Sequence, residues 1–474
     1  MSVPKEILQV ERPKNTVVKK SGNHFYVVSR TSKYVNGRRL PVDLETIGKI
    51  IDGKFVPKTN PISFKQIDIK DYGQVALISK FSKDILDSLL KHFHDIDAFK
   101  IYTIALLRAI YHDCNNNNLA FYYDTSYVSV VHPNVHLGEK TISNFLDLMG
   151  RNYGKINSYL RAKLEELSSD AEIIIDGTLK TNNSKVNAFS EFSRKGKIKH
   201  SKDISLIYAF NSITKEPLIS KVYSGNTIDS SAFKDFIKDF SLNKGLIMGD
   251  KGFLTNENYE LLCQNSNLKF LFPIKRNLKE IKMLDLLNYE GILDFKEEKV
   301  LYKKTKINES LYYYAFKNTK LEQEEKENYL AQKQKKDEFS NEDIKEKQEQ
   351  FGTIIYKSNC DMAPLDIYLL YRKRWEIEVM FNFYKTNLCF NKVNVSSTYS
   401  VIATEFINLL STIISMRVKN YLIKKELLKK FSYKQIMKFL DRVKAVKSSF
   451  SDKWEMHCSL KNILSLCEFL DINL

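Results

Sequence analysis

"EIIIDGT", Glu172–Thr178, is the stretch on which the fold turns. Three successive isoleucines are apolar toward both faces of a chain that alternates side to side, as in a short strand buried on both sides. Two further strands follow, "DISLIYAF" (Asp203–Phe210) and "PLISKVYSG" (Pro217–Gly225). Next come a helix, "SSAFKDFIKDF" (Ser230–Phe240), a strand, "GLIMGDKGF" (Gly245–Phe253), a helix, "TNENYELLCQN" (Thr255–Asn265), and a strand, "LKFLFPI" (Leu268–Ile274). In this β-β-β-α-β-α-β order the first three strands can meander antiparallel. The later ones, alternating with helices, can extend the sheet in parallel.

The fold class read from this order is mixed α/β. It fits a ribonuclease-H-like core, and other mixed α/β folds as well. Working outward, residues 1–70 read as a small β-rich unit. "HFYVVSRTSKYVNGRRLPVDLETIGKIIDGKF" (His24–Phe55) alternates β-branched and aromatic residues and carries "NG" and "DG" turn signals. Residues 71–170 show apolar residues three and four apart, a helical domain that is a candidate DNA-binding module or a subdomain packed on the core. The core occupies 171–276, departs into an α+β insertion over 277–359, and resumes over 360–423. The insertion holds strand-like flanks around a charge-dense helix, "LEQEEKENYLAQKQKKDEFSNEDIKEKQEQ" (Leu321–Gln350), with few apolar anchors. Residues 424–474 read as a basic helical region, with "FSYKQIMKFLDRVKAVKSSF" (Phe431–Phe450) as one helix.

Composition narrows the partner. With 74 Lys and Arg against 57 Asp and Glu, the 474-residue chain carries a net charge of +17 and a pI near 9.2. Such a balance favours a polyanion. The six cysteines form no CxxC pair, which argues against a zinc site and a disulfide framework. The first residues, "MSVPKEILQVERPK", lack the apolar stretch expected of a signal peptide, and the longest apolar run, Val401–Met416, is short for a membrane span and contains Glu405. A cytoplasmic, nucleoid-associated protein is the expectation.

Two carboxylates stand where apolar strands are expected to end, Asp176 and Asp250, each closely followed by a glycine. Strand ends of open α/β sheets border ligand clefts. Two carboxylates brought together repel unless a cation lies between them, and hard divalent ions prefer oxygen ligands. A third acid is offered by "YRKRWEIEVMFNFYK", Tyr371–Lys385. At about 100° per residue from Tyr371, Arg374 lies near 300°, Glu378 near 340° and Lys385 near 320°, whereas Glu376 lies near 140° on the far side. Glu378 thus shares a face with a tyrosine and two cations, a set suited to phosphates and a metal. It is equally suited to a plain i, i+4 pair with Arg374. Trp375 and Phe381 read as the packing that fixes this helix against the sheet.

The spacing Tyr371-x2-Arg374-x3-Glu378-x6-Lys385 resembles the Tyr-Arg-Glu-Lys signature of DDE transposases of bacterial insertion sequences, in the insertion-sequence-four-like group. "RWEIEVMF", "IIIDGT" and "IMGDKGF" resemble the group's glutamate and two aspartate motifs, and "HSKD" (His200–Asp203) and "SGNTID" (Ser224–Asp229) its intervening blocks. The resemblance runs from Glu172 to Leu388. It implies a ribonuclease-H-like core and a metal-binding catalytic triad of Asp176, Asp250 and Glu378. It further implies that Tyr371, Arg374 and Lys385 contact transposon-end DNA and that two Mg2+ ions, replaceable by Mn2+, serve in-line phosphoryl transfer. The implied partners are double-stranded DNA, as terminal inverted repeats and target, and a second copy of the chain in the synaptic complex. Lys202, Asp203 and Asp229 are candidates for secondary roles. The competing readings are a metal-dependent nuclease on the same core, an inactive end-binding remnant, and an RNA-binding structural protein.

Overall fold

The computed structural model describes residues 3–35, 38–58, 67–196, 201–295, 298–334, 347–448, 451 and 453–473. His200 of the "HSKD" block, the "NG" at 36–37 and the middle of the charge-dense segment lie outside them. The chain forms two compact units, residues 1–69 with 446–455, and residues 70–445 with 456–474.

In the first unit four strands run in order, β1 (Thr16–Ser21), β2 (His24–Val35), β3 (Arg38–Ile51) and β4 (Lys54–Pro57), each antiparallel to the next. The tight turn between β3 and β4 is Asp52-Gly53, both at positive φ (48° and 71°). That geometry matches the right-handed twist of the flanking strands and selects a "DG" pair. One face buries Val18, Val27 and Ile50 in a small core.

A strand, β5 (Ile67–Asp71), leads into the second unit, which is built on a nine-stranded mixed sheet. Its strands are β6 (Glu172–Thr181), β7 (Asp203–Asn211), β8 (Glu216–Ser224), β9 (Gly245–Gly249), β10 (Leu268–Pro273), β11 (Gly291–Phe295), β12 (Glu298–Asn308), β13 (Leu311–Asn318) and β14 (Thr353–Ser358). The spatial order is β11-β12-β13-β14-β10-β9-β6-β7-β8. β6, β7 and β8 meander antiparallel, and β9 pairs in parallel with β6 on one side and β10 on the other. The departure over 277–359 does not leave the sheet: β14 pairs antiparallel with β10, and β13, β12 and β11 continue outward.

Ile173, Ile174 and Ile175 are fully buried because helices cover the centre of the sheet. The 27-residue helix Thr398–Lys424 packs on β8 and on the helices Asp95–Ile110 and Glu139–Arg151. Among the described residues it alone is long and apolar enough to cross a bilayer, yet 89% of its most apolar window is buried inside the protein. It is a core helix.

Three local expectations are corrected. β6 does not end at Asp176: it runs on to Thr181, because β7 supplies ladder partners from Asp176↔Tyr208 through Thr181↔Asp203. Tyr371–Lys385 is not one helix. Pro364–Arg372 closes, Trp375–Asn382 restarts, and Phe383–Asn387 forms a π-helical turn. The C-terminal helix spans only Tyr433–Leu440, capped by the reciprocal Ser432–Gln435 bonds, and Lys444–Ser448 is a strand. There the Val443 carbonyl accepts from the amides of Tyr72 and Gly73, and Lys444 pairs with Asp71 at 2.6 Å. Tertiary pairing thus overrides a helical pattern of weak intrinsic preference.

Candidate active site

β6 and β9 are neighbours in parallel register, with Ile175 beside Gly249. The residue that follows each is an aspartate, Asp176 still within β6 and Asp250 just past the end of β9, so two strands about 5 Å apart bring both acids to one end of the sheet. Asp176 lies within the strand, its side chain 18% exposed. Its Oδ1 accepts from the Gly177 amide at 2.8 Å, and its Oδ2 from Arg374 Nη1 at 3.2 Å. Burial pushes its pKa up to about 6. The Gly177 amide and Arg374 oppose that rise, and the neighbouring charges of Asp250 and Glu378 add to it.

Glu378 reaches the same place from the helix side. Arg374, at the break between the two helices, donates through Nη2 to Glu378 Oε1 at 2.8 Å while holding Asp176 with Nη1. Glu376 faces elsewhere, paired with Lys215 at 3.3 Å. Phe381 is buried and meets Tyr208 of β7 edge-on at 5.6 Å, docking the helix on the sheet. Trp375 does not share this role: it is 65% exposed.

Tyr371 donates its hydroxyl to the Gly249 carbonyl at 3.2 Å and packs on Tyr356 at 4.6 Å. Burial raises its pKa, so the phenol stays protonated. It straps the helix to the end of β9, one residue before Asp250.

Lys385, on the π-helical turn, lines a cavity of about 500 Å3 together with Asp176, Asp250, Asp203, Asp229 and Lys195. Asp203 opens β7 opposite Thr181; burial raises its pKa, opposed by the Thr181 hydroxyl and Lys385. Asp229 is paired with Lys195. Lys202 stays outside the cavity lining: its ammonium donates to the Ser190 carbonyl at 3.3 Å and sits over Phe192.

Among the described residues no three acidic, imidazole or thiol groups converge closely enough to hold a metal ion as they stand. Arg374 occupies the gap between Asp176 and Glu378. The donor set nevertheless suits a hard divalent cation: all oxygen, mutually repelling, with one carboxyl held above its ordinary range by burial and by its acidic neighbours.

A buried polar cluster that sequence reasoning did not find lies behind the cavity. Lys180 of β6 donates to Tyr384 and to Glu405 of the core helix. Its signal in the sequence was Glu405 itself, a carboxylate in an apolar helix that needs a buried partner.

An aspartate within one strand, another just past the end of its neighbour and a helix-borne glutamate, on a mixed sheet flanked by helices, define the class: an α/β enzyme with an acidic site. Residues 168–411, more than half of the chain, match the transposase DDE domain family. The chain belongs to that family and is a DDE transposase, an enzyme of DNA transposition and recombination. Domains of this family generally use divalent metal ions. No curated protein sequence matches the chain. Among solved structures it is similar to the piggyBac transposase in a synaptic complex with hairpin DNA, seen by cryo-electron microscopy. That likeness is 12% identity over 78% of this chain and 80% of the other, with a TM-score of 0.41.

Proposed function

We propose that this transposase is of the insertion-sequence-four-like group with the Tyr-Arg-Glu-Lys signature, on a ribonuclease-H-like core. It cleaves the ends of its insertion sequence and joins them to target DNA. Asp176, Asp250 and Glu378 are the catalytic triad and would hold two Mg2+ ions, with Mn2+ able to substitute. Bound there, such ions supply a Lewis-acid clamp on the attacking and leaving oxygens of an in-line displacement.

The protein's own groups do the rest. Arg374 and Lys385 bind phosphates of the transposon end, for which the guanidinium offers a bidentate fork and the ammonium a point charge. The Tyr371 hydroxyl exchanges the Gly249 carbonyl for a phosphate oxygen. When Arg374 turns to a phosphate it frees Asp176 and Glu378 together. DNA thereby opens the carboxylates to the metal. The substrates are double-stranded terminal inverted repeats and target DNA, two copies of the chain pair the two ends, and the work is done at the nucleoid.

The observation that carries this reading is the single guanidinium shared by Asp176 and Glu378, which ties the helix-borne acid to the strand-borne one. The net charge of +17 supports the choice of polyanion. The test is a strand-transfer assay with duplexes ending in the element's own terminal repeat, in Mg2+. Joined products are expected. Hydrolysis that never proceeds to joining makes the enzyme a nuclease on this fold. Binding without any cleavage makes it an end-binding remnant.

A further inference from the structure

Behind the cavity, polar groups are buried where apolar ones would be cheaper. The Lys180 side chain is 0% exposed and that of Glu405 is 2% exposed, and they pair at 2.7 Å. The Tyr384 hydroxyl accepts from Lys180 Nζ at 2.9 Å and donates to Glu405 Oε2 at 2.6 Å. Asn408 donates to Glu405 Oε1 at 3.2 Å and accepts from Arg108 Nη1 at 3.0 Å. Burial draws both Lys180 and Arg108 below their ordinary ranges, and Glu405 opposes it in each. A buried ion pair is weak as a source of stability, since desolvation consumes most of what the pairing returns. Its better-attested use is to fix one arrangement over its neighbours.

What this pair fixes is read from where its members sit. Lys180 and Asp176 lie four apart on β6, so they project from the same face of the sheet. Tyr208, opposite Asp176 on β7, meets both Phe381 and Tyr384 edge-on, at 5.6 Å and 5.8 Å. Phe381 follows Glu378 by three residues, and Tyr384 immediately precedes Lys385. Tyr384 lies inside the π-helical turn Phe383–Asn387. Such a turn, with i→i+5 bonds, is wider than an α-turn, is rare, and is found frequently at functional sites. Here it points Tyr384 inward to Lys180 and lets its neighbour Lys385 line the cavity.

We propose that Tyr384, Lys180 and Glu405 are positioning residues of the transposase, clamping the π-helical turn to β6 so that Lys385 is presented to the transposon end in register with Asp176. The proposal rests on the reading of Lys385 as a DNA contact. The clamp touches no DNA itself: it acts through Lys385, and it ties β6 and the π-helical turn, both of which line the cavity, to the core helix.

The experiment is a double-mutant cycle on the full chain, reading affinity for a fluorescent terminal-repeat duplex by anisotropy. Lys385→Ala alone tests the underlying reading, and a weaker affinity is expected. Tyr384→Phe, which keeps the ring and removes the hydroxyl with its two hydrogen bonds, is expected to weaken end binding about 3- to 10-fold when Lys385 is present, the scale of a buried hydrogen-bond loss. In the Lys385→Ala background the same change is expected to have no effect on affinity, because the residue it positions is gone.

An equal loss in both backgrounds shows a merely structural bond and overturns the proposal, as does no loss in either. Unchanged binding in Lys385→Ala alone instead overturns the DNA-contact reading, and the two failures are thereby told apart. Where a single variant fails to fold, the joint substitution Lys180→Met with Glu405→Leu removes both charges of the pair at once and leaves Arg108 its bonds to Asn408 and Asn116. It is expected to fold and to bind the end no better than Lys385→Ala; binding at the parent's level overturns the proposal.

Discussion

Asp176 and Glu378 share one guanidinium: Arg374 reaches the strand carboxylate at 3.2 Å with Nη1 and the helix carboxylate at 2.8 Å with Nη2. In the proposed reading a divalent ion takes the place of this guanidinium between the two acids. Substituting Asn for Asp176 or Asp250, or Gln for Glu378, is therefore expected to lower single-turnover cleavage by on the order of 10² to 10³-fold or more. Binding of the end should be nearly unchanged. Glu376→Gln is the control: its partner is Lys215, and cleavage should stay near the parent rate. A collapse of cleavage in Glu376→Gln with activity retained in Glu378→Gln would reverse the assignment.

Arg374→Gln separates the two tasks of that guanidinium. If it binds a phosphate in the complex, the plot of log affinity against log salt should lose about one unit of slope. An unchanged slope confines Arg374 to the ion pairs seen here.

The pH dependence follows from Asp176. Burial lifts its pKa to about 6 from the 3.8 of an unperturbed aspartate. Its folded value thus lies above its unfolded one, and the ionised form is the one that folding penalises. Above pH 6 the group lowers stability in full, and the penalty disappears as pH falls through 6 toward 4. Asp176→Asn, neutral throughout, should therefore melt higher than the parent at pH 7.5, by on the order of 2 kcal/mol for a shift of about two units, and level with it near pH 4. Divalent ions should raise the parent's melting temperature at pH 7.5 and leave that of Asp176→Asn nearly unmoved. A gap that widens toward acid pH contradicts the sign.

Much of the sheet was legible because its evidence is local. Apolar runs of five to eight residues bounded by glycine or helix patterns gave the meander and the two parallel additions. What escaped depended on partners far away in the chain. The ladder with β7 carries β6 past Asp176, where the "DG" pair reads as a stop. Helical phase separated Glu378 from Glu376, whose side chains do meet different partners, yet it assumed one unbroken helix. Trp375 is apolar enough for the packing role expected of it, yet its exposure is set by the tertiary fold, and the π-helical turn has no periodicity of its own to betray it. Lys180 and Tyr384 sit 204 residues apart, so nothing near either announces the bond between them.

Two glycines give opposite predictions. Gly177, in "IIIDGT", attracts attention because it follows the aspartate, yet a Cβ there would find its nearest atom, the Leu206 carbonyl oxygen, at 3.7 Å, an ordinary contact. Gly177→Ala should fold normally, with a stability change under about 1 kcal/mol. Gly225, in "SGNTID", is less conspicuous, but a Cβ there would lie 2.2 Å from the Asp203 carbonyl oxygen and 2.6 Å from that of Glu191. Those are backbone atoms tied to each other through paired amides, Asp203 to Glu191 at 2.9 Å and Glu191 to Asp203 at 3.1 Å, so they cannot yield without moving the start of β7. Gly225→Ala should cost about 2–4 kcal/mol by the strain of overpacking. It should also displace Asp203 from the cavity it lines, reducing cleavage even below the melting transition. Urea unfolding of the two variants at matched pH distinguishes them, and a Gly225→Ala protein as stable as the parent would show that the strand start is free to shift.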